Sequence, residues 1–211
     1  MGTGIGTFTP TMPACTRCVN DRAASPLAVK IAVVVQRYGE DVVGGAELHA
    51  RWIAERLGRR HEVVVLTTCA LEYLTWKNEY EPGESVVGGV KVVRFPVAKR
   101  RTAEGFDDLS KKVHFFAHSD AEERRWMEEH GPVTPDLLDH LQKHAAEYDA
   151  LIFFSYRYWT TYHGLRVAPA KSILVPTAEQ DRAVHFRIFK DLFRLPAAIA
   201  FNTPEERALL L

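Results

Sequence analysis

The chain has 211 residues and a mass of 23.9 kDa, which suffices for one domain or at most two small ones. Hydrophobic residues make up 46% and charged residues 26%, a globular composition that excludes a wholly disordered or collagen-like chain. Lys plus Arg and Asp plus Glu each number 27, so the formal net charge is zero. Because no overall positive field draws the chain to a polyanion, no nucleic-acid partner is expected.

The N-terminal residues and the sparse cysteines predict no site of their own. Residues 1–27 are rich in Gly, Thr, Pro and Ala without hydrophobic periodicity, and we expect a disordered extension. Cys15 and Cys18 have the spacing of half a zinc site, but no second pair follows at a finger-like distance. The low cysteine content, with no apolar leader and no long apolar run, predicts a cytoplasmic protein.

Short apolar runs alternate with amphipathic segments along residues 28–211. The first run, Val29–Val35, is β-branched and apolar on both faces, as in a central parallel strand. A helix is predicted from Gly44 to Leu57, where Gly58 ends it. Further strands are predicted at 61–67, 90–95, 149–154, 171–175 and 197–201. Further helices are predicted within 99–131, from Thr134, over 182–193 and from Thr203. This alternation predicts an α/β fold, a Rossmann-like doubly wound parallel sheet.

Several well-defined nucleotide, hydrolase and metal motifs are absent from the sequence. No G-x-G-x-x-G follows the first strand and the second strand ends without an acid for a ribose hydroxyl, so NAD binding is not predicted. Neither Walker A, G-x-S-x-G nor H-E-x-x-H occurs. The pairs His114/His118 and His140/His144 can each share a helix face, but no third metal ligand is visible.

Ligands of a doubly wound sheet bind beyond the carboxyl ends of its strands. After the first strand, Gly44 and Gly45 open a helix, with Glu47 in its first turn. Two glycines there either let an anionic ligand approach the free backbone N–H groups or simply form a turn that needs small residues.

Two further loops at these strand ends carry polar and aromatic side chains. Ser155-Tyr156-Arg157-Tyr158 follows the 149–154 run, and this mixture suits a sugar or a nucleotide phosphate, unless the aromatic rings pack beneath the next helix. After the 171–175 run, Glu179 could orient an acceptor hydroxyl or transfer a proton, whereas Asp181 is expected to cap a helix.

A compact basic cluster, Lys99-Arg100-Arg101, follows the third predicted strand. It is either a solvated loop or a contact for a phosphate or for anionic headgroups. The second alternative would place the protein peripherally at the inner face of a membrane.

The order of these segments resembles the N-terminal domain of the retaining glycosyltransferases of family four, which have the two-domain GT-B fold. The segments that carry the resemblance are Lys30–Val35, Gly44–Glu47, Gly58 with His61–Thr67, Gly89–Pro96, Ser155–Tyr158, Val175–Glu179 and Phe201–Glu206. They extend over about residues 29–211. The resemblance therefore implies a single acceptor-side domain, 28–211, with the C-terminal donor domain absent.

The resemblance implies transfer of a sugar from a nucleotide-sugar donor to a hydroxyl of an acceptor glycan or lipid-linked glycan, with retention of configuration. Synthesis of cell-surface polysaccharide or glycoconjugate is the implied setting. The nucleotide sugar is a co-substrate, and neither a metal nor another cofactor is expected. An isolated half is expected to bind acceptor weakly without turnover.

The resemblance also implies roles for residues of the three loops. Arg157 and Glu179 are the catalytic candidates, although many family members carry His at the position of Glu179. The candidates for contact with the donor phosphate and the acceptor are Gly44, Gly45, Glu47, Ser155, Tyr156 and Thr177. Two other classes stay open: a non-enzymatic Rossmann-like module that binds a small anion, and a sugar-nucleotide epimerase or dehydrogenase with a cofactor at the glycine loop.

Overall fold

A computed structural model describes Met1 and residues 28–211, except for the side chains of Ala103 and Glu104, so the predicted extension with Cys15 and Cys18 lies outside the described residues. The strands are β1 (Lys30–Val34), β2 (Glu62–Thr68), β3 (Gly83–Val87), β4 (Val90–Phe95), β5 (Ala150–Phe154), β6 (Ser172–Val175) and β7 (Ala198–Ile199). The α-helices are α1 (Gly45–Leu57), α2 (Ala103–Phe115), α3 (Asp120–His130), α4 (Pro135–His144), α5 (Trp159–Gly164), α6 (Arg187–Lys190) and α7 (Pro204–Leu210).

The strands pair in the order β3-β4-β2-β1-β5-β6-β7. Every pair is parallel except β3 with β4, which is antiparallel. The chain first winds outward from β1 through β2 and β4, and then returns to place β5 on the other side of β1. Without the edge strand β3, this is the strand order of a Rossmann fold. The structure confirms the predicted doubly wound α/β sheet.

The two faces of the sheet bury separate hydrophobic cores. Successive residues of β1 alternate between them: Val33 belongs to the core under α1, where Ala50 and Ala54 pack, and Val34 belongs to the other core. That second core receives α2 to α6, with Leu141 among its fully buried side chains. Because both faces are covered, the central strands are apolar throughout their length, as their sequence predicts.

The helix ends follow their predicted signals with one exception. α1 ends at Leu57 with Gly58 as its C-cap, and the Thr203 hydroxyl accepts a hydrogen bond from the backbone N–H of Glu206 at the start of α7. Thr134 is the N-cap of α4, but its hydroxyl bonds to the Pro132 carbonyl instead of capping the helix. In the described part of the chain, no helix has both the length and the apolar character to cross a membrane.

The edge strand β3 was not predicted from the sequence. It pairs with β4 through a two-residue turn at Gly88 and Gly89, whose φ angles are 57° and 77°. Positive φ at both central residues matches a tight hairpin turn, which favours glycine. Val86 on this strand is 70% exposed, and β3 therefore lacks the buried apolar run that identified the other strands.

The continuous helix predicted over 182–193 is broken into short pieces. A 3-10 turn at 183–185 and α6 are separated by Phe186, which has extended backbone angles of φ −61° and ψ 139°. Its buried ring packs edge-on against Trp126 with 5.2 Å between centroids. Tertiary packing of this ring therefore overrides the helical preference of the segment.

Gly164 provides a test of how tightly α5 packs on the sheet. A Cβ at this position would lie 2.8 Å from the Phe153 ring and 3.0 Å from Leu141 Cδ1, whereas a Cβ at Gly105 in α2 would meet only an ordinary contact at 3.7 Å. We expect Gly164→Ala to lower the free energy of unfolding by about 1–3 kcal/mol through overpacking. Gly105→Ala should leave it unchanged or raise it by about 0.5–1 kcal/mol. Urea unfolding measures both, and equal effects of the two changes would contradict close packing at Gly164.

Candidate functional site

A cavity of about 540 Å³ lies at the carboxyl ends of the strands, across the point between β1 and β5 where the winding reverses. We call it the crevice. Its lining is Gln36, Arg37, Val43, Gly44, Gly45, Ala46, Glu47, Tyr73, Ser155, Arg157, Tyr158, Thr177 and Glu179. A smaller hollow of about 280 Å³ shares Gly45, Ala46, Thr177 and Glu179 with it and continues to Asn202 and Glu206. The loops after β1, β2, β5 and β6 thus supply one continuous surface, with Gly44, Arg157 and Glu179 all facing it.

A buried ion pair fastens the loop between β1 and α1. Glu47 Oε1 accepts hydrogen bonds from Arg37 Nε at 2.9 Å, from a second Arg37 nitrogen and from Gln36 Nε2 at 2.9 Å. Arg37 also donates to the Leu71 and Val43 carbonyls, each at 3.1 Å. Glu47 is a charged residue in the first turn of α1, yet it is only 6% exposed. Its carboxylate closes the loop from within the crevice lining, and its contact with a ligand stays a prediction.

The space around the two glycines of this loop differs, so a small residue is needed at each for a different reason. Gly44 is the N-cap of α1, and a Cβ there would collide with the Glu47 carboxylate. A Cβ at Gly45 would meet nothing within 4 Å among the described residues. Gly44 therefore fits the turn interpretation, whereas Gly45 leaves open space before the first backbone N–H groups of α1, which carry no side-chain cap in this part of the chain.

Ser155 and Thr177 hold strained backbone conformations at the ends of β5 and β6. Their φ angles are 64° and 49°, in the left-handed region that L side chains rarely adopt. Their hydroxyl oxygens lie 2.7 Å apart in a hydrogen bond. Since such backbone strain costs about 1–3 kcal/mol per residue and concentrates at functional sites, the pair marks this edge of the crevice.

The charged side chains from the β5 and β6 loops are unequally paired. Arg157 forms an ion pair with Asp181 at 2.8 Å. Asp181 also accepts a hydrogen bond from the Val184 backbone N–H at 3.2 Å, at the 3-10 turn 183–185 that stands where the helix it was expected to cap is broken. The Glu179 carboxylate is exposed, and within residues 28–211 it has neither an ion pair nor a hydrogen bond. The carboxylate of Glu179 is therefore available to a ligand.

The structure does not bring Tyr156 to the crevice, contrary to its predicted role in binding. Tyr156 is fully buried, and its ring packs edge-on against Phe189 with centroids 4.9 Å apart. Burial, the main cause, raises the pKa of its hydroxyl. Alternating direction along the loop explains the difference, because Tyr156 turns into the core while Ser155 and Arg157 line the cavity.

An aromatic stack supports the crevice wall at Tyr158. His130 lies between Tyr158 and Trp126, with ring centroids 5.0 Å and 4.9 Å away and nearly parallel planes. Burial, followed by the nearby Arg101, lowers the pKa of His130 well below its usual value. His130 is therefore held neutral in the folded protein.

The basic cluster at 99–101 is largely used within the fold. Arg101 is buried, and its guanidinium donates to the carbonyl groups of Tyr73 and Leu74. Lys99 pairs with Glu129 at 2.7 Å. Of the three, only Arg100 presents an exposed side chain without such a contact in the described residues, and binding of a phosphate or headgroup there stays a prediction.

The two histidine pairs are used in packing and local hydrogen bonds. His114 packs edge-on against Phe186, His118 contacts the Glu123 carboxylate at 3.1 Å, and His140 lies 3.3 Å from the Tyr148 hydroxyl. Over the described ranges, no group of three or more His, Cys, Asp or Glu side chains is arranged to hold a metal ion.

Comparison with known proteins gives matches in structure alone. No family model and no curated protein matches the chain. The solved structures that match include sucrose-phosphate synthase from Thermosynechococcus elongatus, at 11% identity and a TM-score of 0.47 over 86% of this chain and 44% of that one. A structure of trehalose-6-phosphate from E. coli bound with UDP-2-fluoro glucose matches at 14% identity and a TM-score of 0.47, over 86% of this chain and 41% of that one. The chain thus spans less than half the length of either.

The positive φ of Ser155 predicts that replacement by glycine leaves a more stable protein than replacement by alanine, the reverse of the usual order of stability. Both Ser155→Gly and Ser155→Ala remove the hydroxyl, but only glycine relieves the positive φ. We expect the glycine variant to be more stable by about 1 kcal/mol. At Ser172 in β6, whose φ is not positive, the alanine variant should instead be more stable by about 0.5–1 kcal/mol. Urea unfolding of the four variants measures this, and the same order at both sites would exclude strain at Ser155.

The lowered pKa of His130 predicts a dependence of stability on pH. Since the folded protein resists protonating His130 while the unfolded chain binds a proton near the usual pKa of 6.5, the stabilisation is complete above that pH and is lost as the pH falls below it. His130→Gln should reduce the slope of unfolding free energy against pH below 6.5 by up to about 1.4 kcal/mol per pH unit. Urea titrations from pH 7.5 to 5 measure it. Parallel curves for the two proteins would show that the pKa of His130 is the same in the folded and unfolded states.

Proposed function

We propose that this chain is the acceptor-side lobe of a glycosyltransferase that moves a sugar from a nucleotide-sugar donor to an acceptor hydroxyl with retention of configuration. The observation that carries the proposal is that the open helix mouth at Gly45 and the free carboxylate of Glu179 line one crevice at the reversal point of the sheet. The motif resemblance over residues 29–211 supports the same assignment. The acceptor is a glycan or lipid-linked glycan of cell-surface polysaccharide or glycoconjugate synthesis.

Each group of the crevice has a role that its chemistry permits. The first N–H groups of α1, at the positive end of the helix dipole, face negative charge that develops on the leaving diphosphate. Arg157 keeps donors beyond those bound by Asp181. The acceptor hydroxyl, hydrogen-bonded to Glu179, attacks the anomeric carbon from the face that the diphosphate leaves, which retains the configuration, and its proton passes to Glu179 as the glycosidic bond forms and the sugar–phosphate bond breaks. The nucleotide is held by a second α/β lobe that closes the crevice.

The alternatives considered from the sequence find less support at this site. A module for a small anion needs uncompensated positive charge, but both arginines that line the crevice are paired with carboxylates and Glu179 adds a negative charge. A dehydrogenase or epimerase needs an acid at the end of β2 for the cofactor ribose. The Thr68 hydroxyl there donates instead to the Gln36 carbonyl at 2.7 Å.

Gly45→Ala tests the proposed function at its most specific point. The added Cβ enters the open space before the helix mouth without touching the fold, so stability should be unchanged while the transfer rate falls. In the protein translated from the complete reading frame, we expect kcat/KM for sugar transfer to fall at least about tenfold, since even small misplacement of reacting groups is costly. Release of nucleoside diphosphate and the NMR-determined configuration of the product are measured over a panel of nucleotide sugars and glycan acceptors.

Gly105→Ala is the matched control because it adds the same methyl group to another helix start, away from the crevice. It should leave transfer unchanged. Product of inverted configuration, or transfer that Gly45→Ala does not slow, would contradict the proposal. The 211-residue chain alone should bind acceptor weakly without turnover, and rapid transfer by it would exclude the need for a second lobe. Retention of NAD by the purified protein would favour the dehydrogenase alternative.

A further inference from the structure

Gln36 carries an unsatisfied acceptor at the crevice. It is the second residue beyond β1, lines the cavity and is 1% exposed. Its Oε1 is buried without a hydrogen-bond partner in the described residues. Buried polar atoms are almost always bonded, so an orphaned one beside a cavity calls for a partner. Nothing in the sequence analysis assigned Gln36 a role.

The neighbours of Gln36 fix which end of its amide is unsatisfied. The side-chain nitrogen Nε2 lies 2.9 Å from Glu47 Oε1, which also accepts from Arg37. A carboxylate oxygen is an acceptor only, so the NH₂ group must face it and the carbonyl oxygen must face away. The available atom of Gln36 is therefore an acceptor that requires a donor, such as a hydroxyl.

Tyr73 adds an aromatic surface to the same end of the crevice. Its side chain is 52% exposed, lines the cavity and lies over the Arg37 guanidinium at 5.4 Å from the ring centroid. An aromatic face that is held in place yet remains exposed suits the apolar C–H face of a pyranose ring. Acceptor groups next to an aromatic face favour a neutral, hydroxyl-rich ligand.

The charge around Gln36 and Tyr73 favours a neutral ligand over a phosphate. Arg37 is neutralised by Glu47 and Arg157 by Asp181, each within a close ion pair. The side-chain groups of the lining that no ion pair compensates are the exposed Glu179 carboxylate, the mutually bonded hydroxyls of Ser155 and Thr177, and the buried Gln36 carbonyl oxygen. An anion would meet acceptors and a negative charge, whereas a sugar hydroxyl would meet its complement.

We propose that Gln36 and Tyr73 form the sugar subsite of this lobe, in which an uncharged pyranose lies on the Tyr73 ring and donates one hydroxyl to Gln36 Oε1. A small shift of the Gln36 side chain within the wall that it already lines opens Oε1 to that hydroxyl. The inference rests on the proposed function, for which it names the acceptor class and the residues that recognise it. Gln36 thereby determines which hydroxyl pattern is accepted.

The test is a titration of the 211-residue chain with methyl pyranosides of glucose, mannose and galactose and with their monodeoxy analogues, followed by ¹H–¹⁵N NMR. Binding should shift the Gln36 side-chain NH₂ and the Gly45 amide signals. Removal of one particular hydroxyl should weaken binding by roughly fivefold, the effect of one hydrogen bond. In Gln36→Met this penalty should disappear, because the acceptor of that hydroxyl is gone.

Matched variants separate recognition from folding. Thr68→Val removes a different buried hydrogen bond, the one donated to the Gln36 backbone carbonyl, and should keep the deoxy penalty. Tyr73→Ala should weaken glycoside binding by about fivefold or more without loss of fold. Leu74→Ala truncates the neighbouring side chain, 61% exposed and outside the crevice lining, and should change nothing.

The outcomes distinguish this inference from the proposed function. Absence of glycoside binding, signal shifts confined to other surfaces, or crevice binding of inorganic pyrophosphate in place of glycosides would each overturn the inference. The inference would also be overturned if removal of that hydroxyl still weakened glycoside binding in Gln36→Met. Glycoside binding as described, with no transfer by the complete protein, would sustain the sugar subsite and refute the transferase. Sugar transfer by the complete protein that neither Gln36→Met nor Tyr73→Ala affects would sustain the transferase and refute the sugar subsite.

Discussion

The buried contact between Arg37 and Glu47 is the constraint on which the crevice depends. Removal of one partner from a buried pair of this kind typically costs about 3–5 kcal/mol, because the other charge is left without compensation. Here one carboxylate oxygen gathers Arg37 and Gln36, and the guanidinium reaches on to the Leu71 and Val43 carbonyls. The pair thus sets the path of the glycine loop, the direction of the first turn of α1 and the orientation of the Gln36 amide.

The sheet supplies the rigidity that this loop needs. β5 and β6 end in residues whose left-handed backbone would not persist in a flexible loop, and the hydrogen bond between the Ser155 and Thr177 hydroxyls joins the two ends. The next loop is fastened from α7, where Glu206 accepts hydrogen bonds from the backbone N–H groups of Ala178 and Asn202, each at 2.6 Å. Glu179 is therefore presented from a loop with both ends held, which suits the positioning of a hydroxyl.

The sequence predicted the sheet well because buried parallel strands are continuous apolar runs, and it located the crevice loops after β1, β5 and β6 but not Tyr73 in the loop after β2. It could not show the direction of single side chains. Glu47 looks solvated at its helical position, since its partner Arg37 lies ten residues earlier on the far side of a loop. Tyr156 has the composition of a binding residue but turns into the core. β3 was missed although Gly88-Gly89 is a hairpin signal, and Gln36 was missed because an unsatisfied atom is a property of three-dimensional packing alone.

The distribution of charge also explains why the proposed transfer needs two lobes. Leaving diphosphate accumulates negative charge that preorganised donors or cations must stabilise. On this side the two arginines of the crevice are already compensated, and the groups left over are a helix mouth and several acceptors. Such a surface orients a neutral sugar hydroxyl but supplies little of the positive field that a diphosphate requires. In the proposed reaction, most of that field therefore comes from the donor-binding lobe, and closure of the crevice brings the two incomplete environments together around the reacting carbon.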